Sequence, residues 1–325
     1  MSETQTVYPW QVPGAPEHVR VRQPVMEIAF PSGVRLDVPR RRVPDVLSQE
    51  LSCVSFGVTI MSHRGASNGR LSLLLSTIPE NYEVRVSSDT IDEQELEADR
   101  AVCEAHGATL IHCTPWGGRA CNAIHAMDIA PWDVVLFLND DIYLFPEAVR
   151  DALRWFVTLE RHSVPLAALA VPGWESYHHW QDWGFSSWEH CMREPLRLEA
   201  VPPHPRFSVT PALYKNPFGA AMVLSRKVYK DLGGFTPKYW AEDDVYNHQV
   251  WLSETYVNAC YPGRGYIHFG AQSWHHGESV EFVGQFDYAT GMSADESGAL
   301  QVKSMQKWAP KLAHVFESFG GTPCV

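Results

Sequence analysis

Two acidic clusters stand out in this chain of 325 residues. The first, Asn139-Asp140-Asp141, directly follows the apolar run Val134-Val135-Leu136-Phe137-Leu138. An uninterrupted apolar run reads as a buried strand of a parallel sheet. Open α/β sheets bind ligands outside the carboxyl ends of their strands, which is where these carboxylates would stand. Carboxylate oxygens suit a hard divalent cation held against phosphate. A solvated acidic turn opening the next helix, with Pro146 in its first position, is the ordinary alternative. The second cluster, Glu242-Asp243-Asp244, follows Gly233-Gly234-Phe235. The diglycine ends one helix and the acids open another, where the dipole favours negative charge. One acid suffices as a cap; three together favour a general base facing a hydroxyl nucleophile.

Further polar residues fall at strand ends on the same presumed edge. Ser62, His63 and Arg64 follow a first strand, and Ser88 and Asp89 follow a second. Such convergence is what a nucleotide site needs. Gly117-Gly118-Arg119-Ala120-Cys121-Asn122 is a glycine turn opening a helix, whose N–H groups can meet a phosphate, although such turns are common. Tyr266-Ile267-His268 is a short strand ending in a histidine. His268 is either a core residue or the completion of a metal shell begun by Asp141, since Mn²⁺ accepts carboxylate, imidazole and phosphate oxygen together. No HExxH spacing supports a zinc hydrolase site.

The elements that must position these residues alternate regularly. Strands are expected at Val54–Met61, Glu83–Ser87, Ala108–His112, Val134–Leu138, Leu166–Val171 and Gly219–Leu224. Helices are expected at Arg70–Ile78, Glu93–His106 (stopped by Gly107), Arg119–Ile129, Pro146–His162 and Arg226–Leu232. This order implies parallel pairing with right-handed crossovers. Residues 172–211 break the rhythm with Trp174, Trp180, Trp183, Trp188 and several histidines and prolines. A long irregular stretch of this kind is usually functional or disordered, and its aromatics argue against disorder. A tail helix over Ser297–Phe319 carries Val302, Met305, Trp308, Leu312 and Val315 at helical spacing, with Pro310 expected to kink or split it. The chain therefore divides into an arm (1–52) packed on the main domain, a main α/β domain (53–280) holding the 172–211 insertion, and a helical tail (281–325).

Composition narrows the function. A hydrophobic content of 45% fits a globular core. The net charge of −12 weighs against nucleic acid and anionic membranes, without excluding a local basic patch such as Arg40-Arg41-Arg42. The seven cysteines are scattered and form no CxxC pair, which argues against a zinc knuckle or a disulfide framework. No apolar run reaches transmembrane length, and the polar N-terminus lacks the apolar segment expected of a signal peptide. A cytoplasmic protein is expected.

Taken in order, these residues resemble family 2 glycosyltransferases of the GT-A fold. The similarity spans Val54 to Ser273, about two thirds of the chain. Val58 to Arg64 looks like the opening strand that reaches the nucleotide base. Asp89 matches the acid used near the base. Gly118 to Asn122 resembles the glycine-to-Asn helix opening. Leu138-Asn139-Asp140-Asp141 resembles the DxD element, whose last acid binds the metal. Asn216 to Met222 looks like the acceptor-side strand. Gly233-Gly234-Phe235 followed by Glu242-Asp243 resembles the GGF…ED element, whose Asp is the usual base. His268 with Gly270 and Ser273 resembles the late His-x-G segment.

The resemblance implies a GT-A-like, mostly parallel α/β fold. It also implies metal-dependent transfer of a sugar from a nucleotide-sugar donor to a hydroxyl acceptor of unknown class. Asp141 and His268, and Asp140 as a further candidate, would hold Mn²⁺ or Mg²⁺. Ser62, His63, Arg64, Asp89, Gly118, Arg119, Asn122, Asn139 and Asp140 would line the donor. Asp243, flanked by Glu242 and Asp244, would be the base of an inverting displacement. Trp174, Trp180, Trp183 and Trp240 would face the acceptor. The rivals are a retaining transferase, a nucleotidyltransferase, and a non-catalytic carbohydrate-binding protein.

Overall fold

The computed structural model describes residues 54–67, 69–114, 118–145, 147–171, 173–175, 220–236, 242–261, 265–268 and 294–318. The N-terminal arm, the insertion apart from Gly173–Glu175, and residues 269–293 lie outside them. The first half follows the expected alternation: β1 (Phe56–Ser62), α1 (Arg70–Thr77), β2 (Val84–Ser88), α2 (Glu93–Ala105), β3 (Thr109–His112), α3 (Gly118–Asp128) and β4 (Val134–Asn139). Then come β5 (Ile142–Leu144), α4 (Ala148–Arg161), β6 (Leu166–Ala170), β7 (Gly173–Glu175), β8 (Ala221–Ser225), α5 (Arg226–Asp231), α6 (Glu242–Ser253), β9 (Val257–Cys260), β10 (Tyr266–His268) and α7 (Ala294–Ser318).

Seven strands form one sheet in the order β3-β2-β1-β4-β8-β6-β9. Pairing is parallel except where β8 runs antiparallel between β4 and β6. β5, β10 and β7 form a separate small sheet.

Side chains alternate between the faces of β4 and are buried on both, as its unbroken apolar run requires. Val134, Leu136 and Leu138 join a core with Leu71, Leu74, Leu153 and Phe156 from the helices on that side. Val135 and Phe137 face the other core, with Met127, Tyr229, Phe235 and Tyr246. Phe235 anchors that core through edge-on contacts with Phe137 and Tyr229. Gly234 makes this possible. Its φ is +69°, and a Cβ there would lie 2.8 Å from the Tyr229 ring. The Tyr229 hydroxyl then accepts the Phe235 N–H at 3.0 Å.

The tail differs from expectation. α7 is assigned as one helix through Pro310 and is not split there. Tertiary anchoring outweighs the lost backbone bond. Leu312 and Val315 are buried in the first core, and Trp308 packs against it. Lys307 and Lys311 donate to the carbonyls of Glu254 and Ser163 at the ends of α6 and α4. Val302, expected on the docking face, is 51% exposed. Among the described residues no helix is long and apolar enough to cross a membrane.

Candidate functional site

Parallel pairing brings the ends of β1, β2, β3 and β4 to one edge. Ser62 is in register with Ser88, Ser88 with His112, and Met61 with Asn139. Three candidate segments, 62–64, 88–89 and 139–141, therefore meet there.

On the β2 side, His63 donates its Nδ1–H to Asp89 Oδ1 at 2.8 Å. That bond fixes the imidazole's tautomer and orientation. Arg64 turns through a left-handed backbone conformation with φ +53°. Its N–H donates to Thr90 Oγ1 at 2.8 Å, and its guanidinium pairs with Glu95 at 2.8 Å. Beneath them sits Asp99 of α2, 0% exposed. Its carboxylate accepts from the Ala66 N–H and from the hydroxyls of Ser88 and Thr90, at 2.7, 3.0 and 3.0 Å. Burial pushes the Asp99 carboxyl up from its ordinary value, against the pull of these bonds and of Arg70.

On the β4 side, Asn139, Asp140 and Asp141 are all buried. Asp140 Oδ2 accepts from Ser62 Oγ at 2.7 Å and from the His63 N–H at 3.2 Å, and Arg70 lies 3.6 Å away. Burial raises the Asp140 carboxyl, opposed by the Arg70 charge. Gly65 closes over this arrangement. A Cβ there would lie 2.5 Å from Ser62 Oγ and 2.8 Å from Asp140 Oδ2.

From below, the Asn122 amide of α3 donates to the Ser62 carbonyl at 2.9 Å and accepts from Ser87 Oγ. Ser87 Oγ also stands 2.7 Å from His125 Nδ1. Burial lowers the His125 pKa and favours its neutral form. Asn122 thus braces the end of β1. Gly118 and Arg119 form the first turn of α3, which packs on β1 and β2.

The small sheet brings in His268. β10 pairs with β5 so that His268 is in register with Ile142, the chain neighbour of Asp141. β7 pairs on the other side, setting Glu175 beside His268 and Trp174 beside Ile267. The backbones of Asp141 and His268 are thereby adjacent, and carboxylate plus imidazole suits a divalent ion such as Mn²⁺ or Mg²⁺. Among the described residues no three His, Cys, Asp or Glu side chains gather into a preformed metal cage. Glu242, Asp243 and Asp244 open α6, with Asp243 half-buried in its first turn. α6 is held to the sheet by a buried amide pair in which Asn258 donates to Asn247 at 2.6 Å. The side chains of Glu242, Asp244, His268 and Trp174 lie outside the described residues, as do Trp180, Trp183 and Trp240 altogether.

Sequence reading missed Asp99, Arg70 and Glu175. Asp99 carried a signal: it falls between Leu96 and Cys103 on the buried stripe of α2. Arg70 carried none, because a charged residue opening a helix looks like a surface residue.

No family model matches the chain. No curated protein matches it either. Solved structures do share its fold. A mannosyltransferase from Pyrobaculum calidifontis, in complex with GDP-Man and Mn²⁺, has a TM-score of 0.50 and 16% identity over 84% of this chain and 76% of that one. S. aureus TarS 1–349, in complex with UDP-GlcNAc, has a TM-score of 0.50 and 13% identity over 82% and 80%. GalNAc-T7, with UDP, GalNAc and Mn²⁺, has a TM-score of 0.50 and 14% identity over 83% and 55%. The fold is that of the GT-A glycosyltransferases.

Proposed function

We propose that this protein is a metal-dependent glycosyltransferase that moves a sugar from a nucleotide-sugar donor to a hydroxyl acceptor. The observation that carries this reading is the meeting of three polar strand ends at one carboxyl edge, with the His268 strand registered beside Asp141. That two structures of this fold hold GDP-Man and UDP-GlcNAc supports it.

In this reading the base lies toward Asp89 and His63, and the diphosphate toward Asn139 and Asp141. Arg64, Arg119 and the N-terminal turn of α3 at Gly118 are the candidate partners for its charge. Asp141 and His268 would hold Mn²⁺ or Mg²⁺. When bound, that ion neutralises charge on the leaving diphosphate as a Lewis acid. Asp243 takes the proton of the acceptor hydroxyl as its oxygen attacks the anomeric carbon. The bond to the diphosphate breaks with its electron pair leaving on phosphate oxygen, so configuration inverts. Trp174, Trp180, Trp183 and Trp240 offer flat faces to an acceptor sugar or ring.

The test is product analysis with a panel of nucleotide sugars. Transfer releases a nucleoside diphosphate. Pyrophosphate release from a nucleoside triphosphate would mark a nucleotidyltransferase instead, and retained anomeric configuration would rule out the single displacement. Asp243→Asn is expected to lower kcat by about 10²–10⁴ while nucleotide binding survives. Loss of binding and turnover together would remove Asp243 from the role of base.

A further inference from the structure

Asp140 and Asp141 are adjacent and both buried. Four of the described neighbours close on Asp140 Oδ2. Ser62 Oγ and the His63 N–H donate to it at 2.7 and 3.2 Å. Gly65 covers it so closely that a Cβ would lie 2.8 Å away. The fourth neighbour is Arg70, at 3.6 Å. Arg70 is itself only 3% exposed, and it donates to the His63 carbonyl at 2.7 Å. One guanidinium thus joins the turn after β1 to the acid after β4. A buried positive charge is costly unless it is paired, and here the Asp140 carboxylate supplies the partner.

We propose that Arg70 is a positioning residue of the site: it neutralises Asp140 and locks it under the β1–α1 turn, leaving Asp141 as the single acid of this strand end presented to a cation. The proposal rests on the reading of Asp141 as a cation ligand. Its physical content is a charge count. With Arg70 in place, Asp140 and Asp141 together present one net negative charge to a divalent ion; without it, two.

A purely structural arginine and a charge-compensating one differ in Mn²⁺ binding without nucleotide, read by electron paramagnetic resonance of the free ion. Arg70→Met is expected to raise Mn²⁺ affinity roughly tenfold, because a second uncompensated carboxylate attracts the ion. Arg70→Lys, which keeps the charge, is expected to stay within about threefold of wild type, and so is the double variant Arg70→Met/Asp140→Asn. Unchanged or weaker Mn²⁺ binding in folded Arg70→Met overturns the proposal. Should Arg70→Met fail to fold, Asp140→Asn decides. The uncompensated Arg70 charge is then expected to weaken Mn²⁺ binding roughly tenfold, and Arg70→Met/Asp140→Asn to restore it to within about threefold of wild type; unchanged affinity in Asp140→Asn, or no restoration in the double variant, overturns the proposal. Wild-type protein that binds no Mn²⁺ refutes the cation reading itself, and the role of Arg70 with it.

Discussion

A single methyl group at Gly65 tests whether the strand edge is as closely packed as the structure shows. In Gly65→Ala the new Cβ would lie 2.5 Å from Ser62 Oγ, 2.8 Å from Asp140 Oδ2 and 2.8 Å from Leu71 Cβ. Ordinary contact is about 3.5 Å, so each neighbour must yield by roughly 0.7–1 Å. None can do so freely. Ser62 and Asp140 are bonded to each other at 2.7 Å, and Leu71 Cβ is fixed to α1. Overpacking of this kind costs about 1–3 kcal/mol. Prising apart a hydrogen bond to a carboxylate adds about 1.5–3 kcal/mol. The expected loss is therefore about 2.5–6 kcal/mol in urea denaturation followed by tryptophan fluorescence. Gly69 is the control. Its φ is +74° and nothing lies within 4 Å of its would-be Cβ, so Gly69→Ala should cost only the left-handed backbone penalty, about 1–2 kcal/mol. Equal losses in the two variants would refute the packing argument.

Three further outcomes are expected. Asp99 has its carboxyl raised above 3.8 by burial, so its contribution to stability is present at low pH and is lost as pH rises through the folded value. Asp99→Asn should therefore show a smaller decline in stability between about pH 4 and pH 7 than wild type; parallel curves would contradict this. Phe137→Ala, which empties a fully buried position between Phe235 and the sheet, should cost about 3–5 kcal/mol in the same urea assay. Asn247→Ala and Asn258→Ala should be non-additive by at least about 0.5 kcal/mol in a double-mutant cycle, because each leaves the other's buried amide without its partner.

Much of the fold was legible because its signals are periodic. The apolar run of β4 declared a strand buried on both faces, and Asn139-Asp140-Asp141 declared where that strand ends. Gly107 and Gly233-Gly234 marked helix ends for a steric reason visible in their positive φ values. The antiparallel β8 was not legible, since strand direction depends on the path of the preceding chain and not on composition. β5 and β7, three residues each, are too short to show a period. The gathering of the candidate segments at one edge was legible, because the carboxyl-edge rule needs only strand order. Its internal wiring was not. Arg70 and Asp99 are charged residues whose burial depends on partners far away in sequence, and no local pattern announces such a partner. The register that sets Glu175 and Ile142 on either side of His268 is likewise a property of three distant segments.

The central claim is that this carboxyl edge binds a nucleotide sugar through a divalent ion held by Asp141. The most direct measurement is thermal stabilisation by a panel of nucleoside diphosphates and nucleotide sugars, with Mn²⁺ or with EDTA. A ligand that binds only the folded state raises the melting temperature by mass action, worth about 2.7 kcal/mol at a hundredfold excess over Kd. The account predicts a shift for one nucleotide class that requires Mn²⁺ and is absent in Asp141→Ala. No shift with any nucleotide, or a shift indifferent to EDTA and to Asp141, would contradict it.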